Sequence, residues 1–171
     1  MLEMSQVLDT NSQKARLHMN GMVKAICICP VAGEPMQPVT DVEAIIGQGL
    51  KGDRYSTGEG SFNKGRQGNR QVTLMNTIFF EGSGFEFKDS RRNLFVEGIE
   101  LMWLIGREFQ IGTARFRGVK YCDPCTRPNK LAGKEQSFKE TFFDRGGIIA
   151  EIIESGLIKI GDQVIPPPKE Y

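Results

Sequence analysis

The chain has 171 residues, 39% of them hydrophobic and 25% charged, with 22 Lys and Arg against 21 Asp and Glu and a formal net charge of +1. That length fits one domain with a sizeable core, and the composition is that of a soluble globular protein, not a disordered or membrane-spanning one. The balanced charge gives no global reason to expect a nucleic-acid partner and leaves only a local basic pocket.

Met1 to Asn20 is polar and lacks the apolar run of a signal peptide. Residues 1–20 are read as a disordered or helical leader, residues 21–171 as the domain, and the chain is expected to be cytoplasmic with no membrane partner. The single histidine, His18, lies in the leader, which argues against mechanisms built on a Cys/His or Ser/His pair. The four cysteines form Cys27-x-Cys29 and Cys122-x-x-Cys125, and without a secretion signal they read as reduced thiols.

Val23 to Cys29 is a β-type run stopped by Pro30 and the Gly33-Glu34-Pro35 turn. A strand there puts Ala25, Cys27 and Cys29 on one face, where free cysteine is expected as core filling. Val39 to Ile46 is read as a second strand, broken by Gly47 and Gly49. Ser56 to Asn69, rich in Gly, Ser, Asn and basic residues, is read as a long surface loop. Arg70 to Met75 returns to strand character, and Asn76 to Glu81 is read as a short helix capped by Asn76. Arg91, Arg92 and Asn93 precede the apolar strand Leu94 to Val96; two arginines and an amide at a strand entrance suit a phosphate or carboxylate, although a solvated turn has the same composition.

Glu108 to Ile111 and Ala114 to Val119 read as two strands of a hairpin at Gly112-Thr113, which delivers the chain to Cys122. Phe138 to Phe143 reads as a brief helix, Ile148 to Ile153 as a buried strand, and Gly156 to Val164 as a closing hairpin before Pro166. Regular helices between strands are missing. The expected fold is therefore mostly β with short helices, in a closed or partly closed barrel-like domain.

Chemistry concentrates in Tyr121 to Arg127. A thiolate is both a nucleophile and a soft metal ligand, and neighbouring cations such as Lys120, Arg127 and Arg92 favour it over the thiol. Three other readings stand beside a reactive thiolate. Cys27, Cys29, Cys122 and Cys125 have the residue types of a structural four-cysteine zinc module. A thioredoxin-like Cys122/Cys125 pair is disfavoured because no helix is read at the motif and Pro128 follows. A non-catalytic binding protein with the same fold is the third.

Gly52-Asp53-Arg54, Arg70-Gln71-Val72-Thr73-Leu74, Arg92-Asn93-Leu94, Gly98-Ile99, Gly106-x-x-Phe109-x-Ile111-Gly112, Cys122-Asp123-Pro124-Cys125, Arg145-Gly146-Gly147 and Gly161-Asp162 occur in one order. From about Val23 to Val164 the chain thereby resembles the MOSC domain family, named from the C-terminal domain of molybdenum cofactor sulfurases. The resemblance implies a pyruvate-kinase-type β-barrel around a motif cysteine that carries sulfur as a persulfide or ligates molybdenum. Pro124-Cys125 matches that position, so Cys125 is the implied catalytic thiol and metal ligand, with Cys122 beside it. The implied cofactor is molybdenum cofactor, its pterin phosphate or another anionic small molecule held by Arg92, Asn93, Arg54, Arg70, Asp53 and Arg127. Implied partners are a cysteine desulfurase, on which alone pyridoxal phosphate would sit, or a molybdenum-cofactor enzyme; family reductases act on N-hydroxylated compounds. Many members have histidine after Gly-Asp-Arg where this chain has Tyr55, and the reductases carry an N-terminal β-barrel where this chain has its short leader.

Overall fold

The computed structural model describes residues 20–60, 68 and 70–168; the leader with His18, and most of the expected Ser56 to Asn69 loop, lie outside the described residues. Eleven strands are formed among the described residues: β1 (Gly21–Ile28), β2 (Gln37–Val39), β3 (Asp41–Ile45), β4 (Gly49–Leu50), β5 (Val72–Asn76), β6 (Leu94–Glu97), β7 (Glu108–Ile111), β8 (Ala114–Tyr121), β9 (Ile148–Glu154), β10 (Gly156–Lys159) and β11 (Gln163–Ile165). The α-helices among the described residues are single turns, α1 (Arg127–Leu131) and α2 (Phe138–Thr141). Neighbours in the main sheet run β11-β7-β8-β9-β5-β6-β1, and β1 pairs back to β11, closing a barrel with β2 added outside β1. Within the barrel β5 and β6 pair in parallel; the other pairings are antiparallel. A second sheet, β10-β3-β4, packs against it, and its Val42, Ala44, Leu50 and Ile158 join the barrel's core.

Alternation along the strands sorts two apolar clusters onto opposite faces. Ile26, Leu74, Leu94 and Val96 join Val23, Phe116, Ile148, Ile152 and Val164 in one core. Their neighbours Cys27, Met75 and Phe95 turn to the other face, into a cluster with Phe80, Phe85, Phe138 and Phe142. Each such phenylalanine removed from water contributes roughly 1.5–3 kcal/mol, and the rings meet edge-on or tilted, with Phe138 and Phe142 centroids 4.5 Å apart. Cys27 and Cys29 are thus the core residues the sequence suggested.

Four readings are corrected. Val39 to Ile46 is not one strand: β2 ends at Val39 and pairs with β1, whereas β3 pairs with β10. The closing hairpin does not form either. Gly161 N–H donates to Val23 O (2.8 Å) and Val23 N–H to Asp162 O (2.9 Å), so the turn is pinned on β1 and sends β10 and β11 into different sheets. A helix does start beside the cysteine motif: α1 begins at Arg127, with Pro128 in its first turn, where the missing N–H has no intrahelical partner to lose. The helix expected after Asn76 is a 3-10 turn, Thr77–Phe79, and the Asn76 side chain donates to Ile99 O (2.8 Å) instead of capping it.

Candidate functional site

The site lies where β8 runs out into the cysteine motif. Register between β8 and β9 slips after Gly118, which faces Ala150, so that Lys120 faces Ile149 and Tyr121 faces Ile148. A bulge re-aims the residues beyond it, and Lys120, Tyr121 and Ile149 all line one cavity. Cys122 N–H then donates to Gly147 O (2.9 Å). Arg92 holds the same corner from below: Nε donates to Gly146 O (3.0 Å), Nη2 to Cys122 O (3.2 Å) and Nη1 to Ser90 O (3.3 Å). A side chain at Gly146 would overlap Cys122 O and Pro124, and one at Gly147, whose φ is +83°, would overlap Leu74 O. The Arg145-Gly146-Gly147 motif is therefore a steric requirement of the cysteine segment.

The opposite wall comes from the chain after β4. Asp53 is fully buried; it accepts from Cys29 N–H (2.9 Å) and Tyr55 N–H (3.3 Å) and pairs with Arg54 (3.2 Å). Burial pushes the Asp53 carboxyl up, opposed by Arg54 and these amides. Arg54 Nη2 and Arg70 Nε both donate to the Tyr55 hydroxyl, at 3.3 and 3.4 Å, and their guanidinium carbons stand 4.5 and 5.5 Å from the Tyr55 ring centroid. Tyr55 thus spaces two arginines where the resemblance led one to expect histidine.

The resulting cavity, about 310 Å³, is lined among the described residues by six cationic side chains, Arg54, Arg70, Arg91, Arg92, Lys120 and Arg127, and by one carboxylate, Asp123. Among the described residues, Arg91, Arg92, Lys120 and Arg127 have no carboxylate within ion-pair distance. Burial, and then Arg54 with a smaller part from Arg127, lowers the Arg91 pKa from its ordinary value. Arg91 is held by Glu34 O and lies 3.7 Å from Cys29 Sγ. Such crowding of like charge favours a bound anion.

Cys125 is exposed and opens on this cavity, together with Arg54, Arg70, Arg92 and Arg127. Cys122 is buried behind the wall with Arg70 Nη2 at 3.8 Å from its sulfur. Asp53 and Asn93 also stand behind it. Asn93 is fully buried, accepts from Thr73 N–H and Oγ1 at 3.1 Å and donates to Cys27 O at 3.1 Å, a strut between β5 and β1. Gly33, Tyr121, Asp123 and Ile149 line the cavity without having been singled out in the sequence; only Tyr121 and Asp123, inside the cysteine stretch, carried a signal.

The four-cysteine zinc reading is overturned. Cys29 Sγ donates to Val31 O (2.8 Å) and Cys27 sits in the phenylalanine cluster, where burial pushes its pKa to about 11. Among the described residues no three His, Cys, Asp or Glu side chains gather as a metal site. No helix of the described residues is long and apolar enough to cross a membrane.

A closed small barrel with a cysteine-bearing exit loop over a basic cavity defines a class, and the family model "MOSC domain" matches residues 71–165, more than half of the sequence. The chain belongs to the MOSC domain family. Among solved structures, the YuaD protein from Bacillus subtilis is similar with a TM-score of 0.69 and 15% identity, over 85% of this chain and 94% of that one. YiiM from Escherichia coli (TM-score 0.60, 13% identity, 87% and 71% covered) and YiiM from Geobacillus stearothermophilus (TM-score 0.61, 13% identity, 86% and 75% covered) share the fold as well. No curated protein sequence matches significantly.

Proposed function

We propose that this protein binds molybdenum cofactor, with Cys125 as the protein's sulfur ligand and the surrounding cations as the seat of the pterin phosphate. One observation carries the reading: the exposed Cys125 thiol opens on a cavity that the described residues line with six cationic side chains and a single carboxylate. The donor set fits the group, since thiolate is a soft ligand and Arg and Lys are the phosphate-binding side chains. Arg127 and Lys120 line the cavity with the thiol, and Arg54 and Arg70, held apart by Tyr55, meet the anion from the other wall. When bound, the cofactor would supply redox chemistry for a substrate such as an N-hydroxylated compound; the chain's own groups bind it and orient it.

A second reading, sulfur carriage as a Cys125 persulfide, is favoured by the thiol's exposure, because a carrier must present its sulfur to a desulfurase and then to an acceptor. Elemental analysis and intact mass of protein from cells making molybdenum cofactor, wild type against Cys125→Ser, test both. Molybdenum near one per chain, lost in the variant, supports cofactor binding. A mass gain of one sulfur at Cys125 without metal moves the assignment to the carrier, and neither signal in either protein rejects both.

A further inference from the structure

A second depression of about 290 Å³ adjoins the cationic cavity, and the two share Gly33, Arg91 and Pro128 in their walls. Its chemistry is different. One side is Pro35, Met36 and Pro38, and the other is the exposed face of α1, Leu131 with Ala132. At its far end Lys88 is already paired with Glu86 (3.2 Å), and the Asp89 carboxylate already accepts from Glu86 N–H (2.9 Å). Three prolines make the walls stiff and remove backbone donors. Gly33 is common to both depressions; its φ of +88° is what favours glycine, since a side-chain carbon built there would come 3.7 Å from Arg127 Nη2, an ordinary contact.

Ligand sites are mostly apolar with a few placed polar groups. The cationic cavity supplies the charged groups, and the adjoining depression adds the apolar surfaces of Pro35, Met36, Pro38 and Leu131 beside them. We infer that the two form one site, for a ligand with an anionic head in the cavity and a flat apolar body crossing at Gly33 to lie between Pro38 and Leu131. The anionic head then lies in the cavity that Cys125 lines, and the apolar body rests on the adjoining surface without having to hydrogen-bond. It rests on the reading of the cavity as an anion site, and not on what Cys125 ligates.

The test uses inorganic phosphate, phenyl phosphate and 1-naphthyl phosphate, titrated calorimetrically into the wild type, Leu131→Ser and Ala132→Trp. The wild type is expected to bind 1-naphthyl phosphate about tenfold tighter than phosphate, with phenyl phosphate between them. Removing the apolar wall in Leu131→Ser, or filling the space in Ala132→Trp, is expected to erase that gain while phosphate affinity stays within about twofold, which also reports that each variant is folded. Equal affinity for all three probes, a gain that survives both variants, or no binding of any anion would overturn the inference. Cys125→Ser is expected to keep the gain, so a failed metal and sulfur analysis and a failed titration are separate results.

Discussion

Asp53 does not itself line the cavity yet helps to set its shape, because one buried carboxylate orients Arg54, fixes the Tyr55 amide and ties both to Cys29 N–H just beyond β1. Removing one partner of a buried ion pair leaves the other charge without compensation and costs about 3–5 kcal/mol. Asp53→Ala is therefore expected to lower unfolding stability by that order in denaturant titration, with Asp53→Asn, which can still accept from Cys29 N–H, losing less. Equal stability of Asp53→Ala and wild type would mean that Arg54 finds another counter-charge. The cysteines divide equally sharply: Cys125 is exposed, while Cys27, Cys29 and Cys122 are 2%, 0% and 2% exposed. Brief alkylation of the folded protein followed by peptide mass mapping is expected to mark Cys125 at least about tenfold faster than the other three. Comparable labelling of Cys122 would show that its wall opens readily.

At the scale of elements, the phenylalanine cluster is what joins the helical turns to the barrel. Phe142 on the C-terminal side of α2 stands 5.0 Å from Phe80 and 4.5 Å from Phe138, and Arg92 in turn lies 5.9 Å from the Phe138 ring. Phe142→Ala is expected to cost about 3–5 kcal/mol in denaturant or thermal unfolding, and, because Arg92 carries Gly146 and Cys122 on its other side, to weaken phosphate binding too. Unchanged phosphate affinity in the folded variant would separate the cluster from the site. Strand positions were legible in the residues because Leu94-Phe95-Val96 or Ile148-Ile149-Ala150 carry branched and aromatic side chains wherever they pair. Partner choice was not legible. Gly156 to Val164 reads the same whether its two strands join each other or, as here, are pulled apart by the bonds of Gly161 and Asp162 to Val23. The bulge after Gly118, which brings Lys120 and Tyr121 together to the cavity, leaves no local trace, and Pro128 was taken as a sign against a helix although it stands in the first turn of one. Arg54, Arg70, Arg92 and Cys125 stood in the motif order, but Gly33 and Ile149 join them only through tertiary folding.

For the whole molecule, the barrel exists only once its first and last strands meet. That seam is short: β1 and β11 share Gly21 opposite Val164 and Met22 opposite Gln163, whereas β8 and β9 pair along most of their length. Pairing ends of a chain this far apart costs loop-closure entropy that nearer contacts do not, so the seam is expected to form after the folding transition state. Val164, fully buried in the inner cluster, probes this directly. Val164→Ala removes two methyl groups and leaves a cavity, for a loss of about 2–3 kcal/mol. For a contact formed late, that loss falls on the unfolding rate. Stopped-flow chevrons are expected to show faster unfolding with refolding within about twofold of wild type. A refolding limb slowed in proportion to the stability lost would mean that barrel closure starts folding and does not complete it.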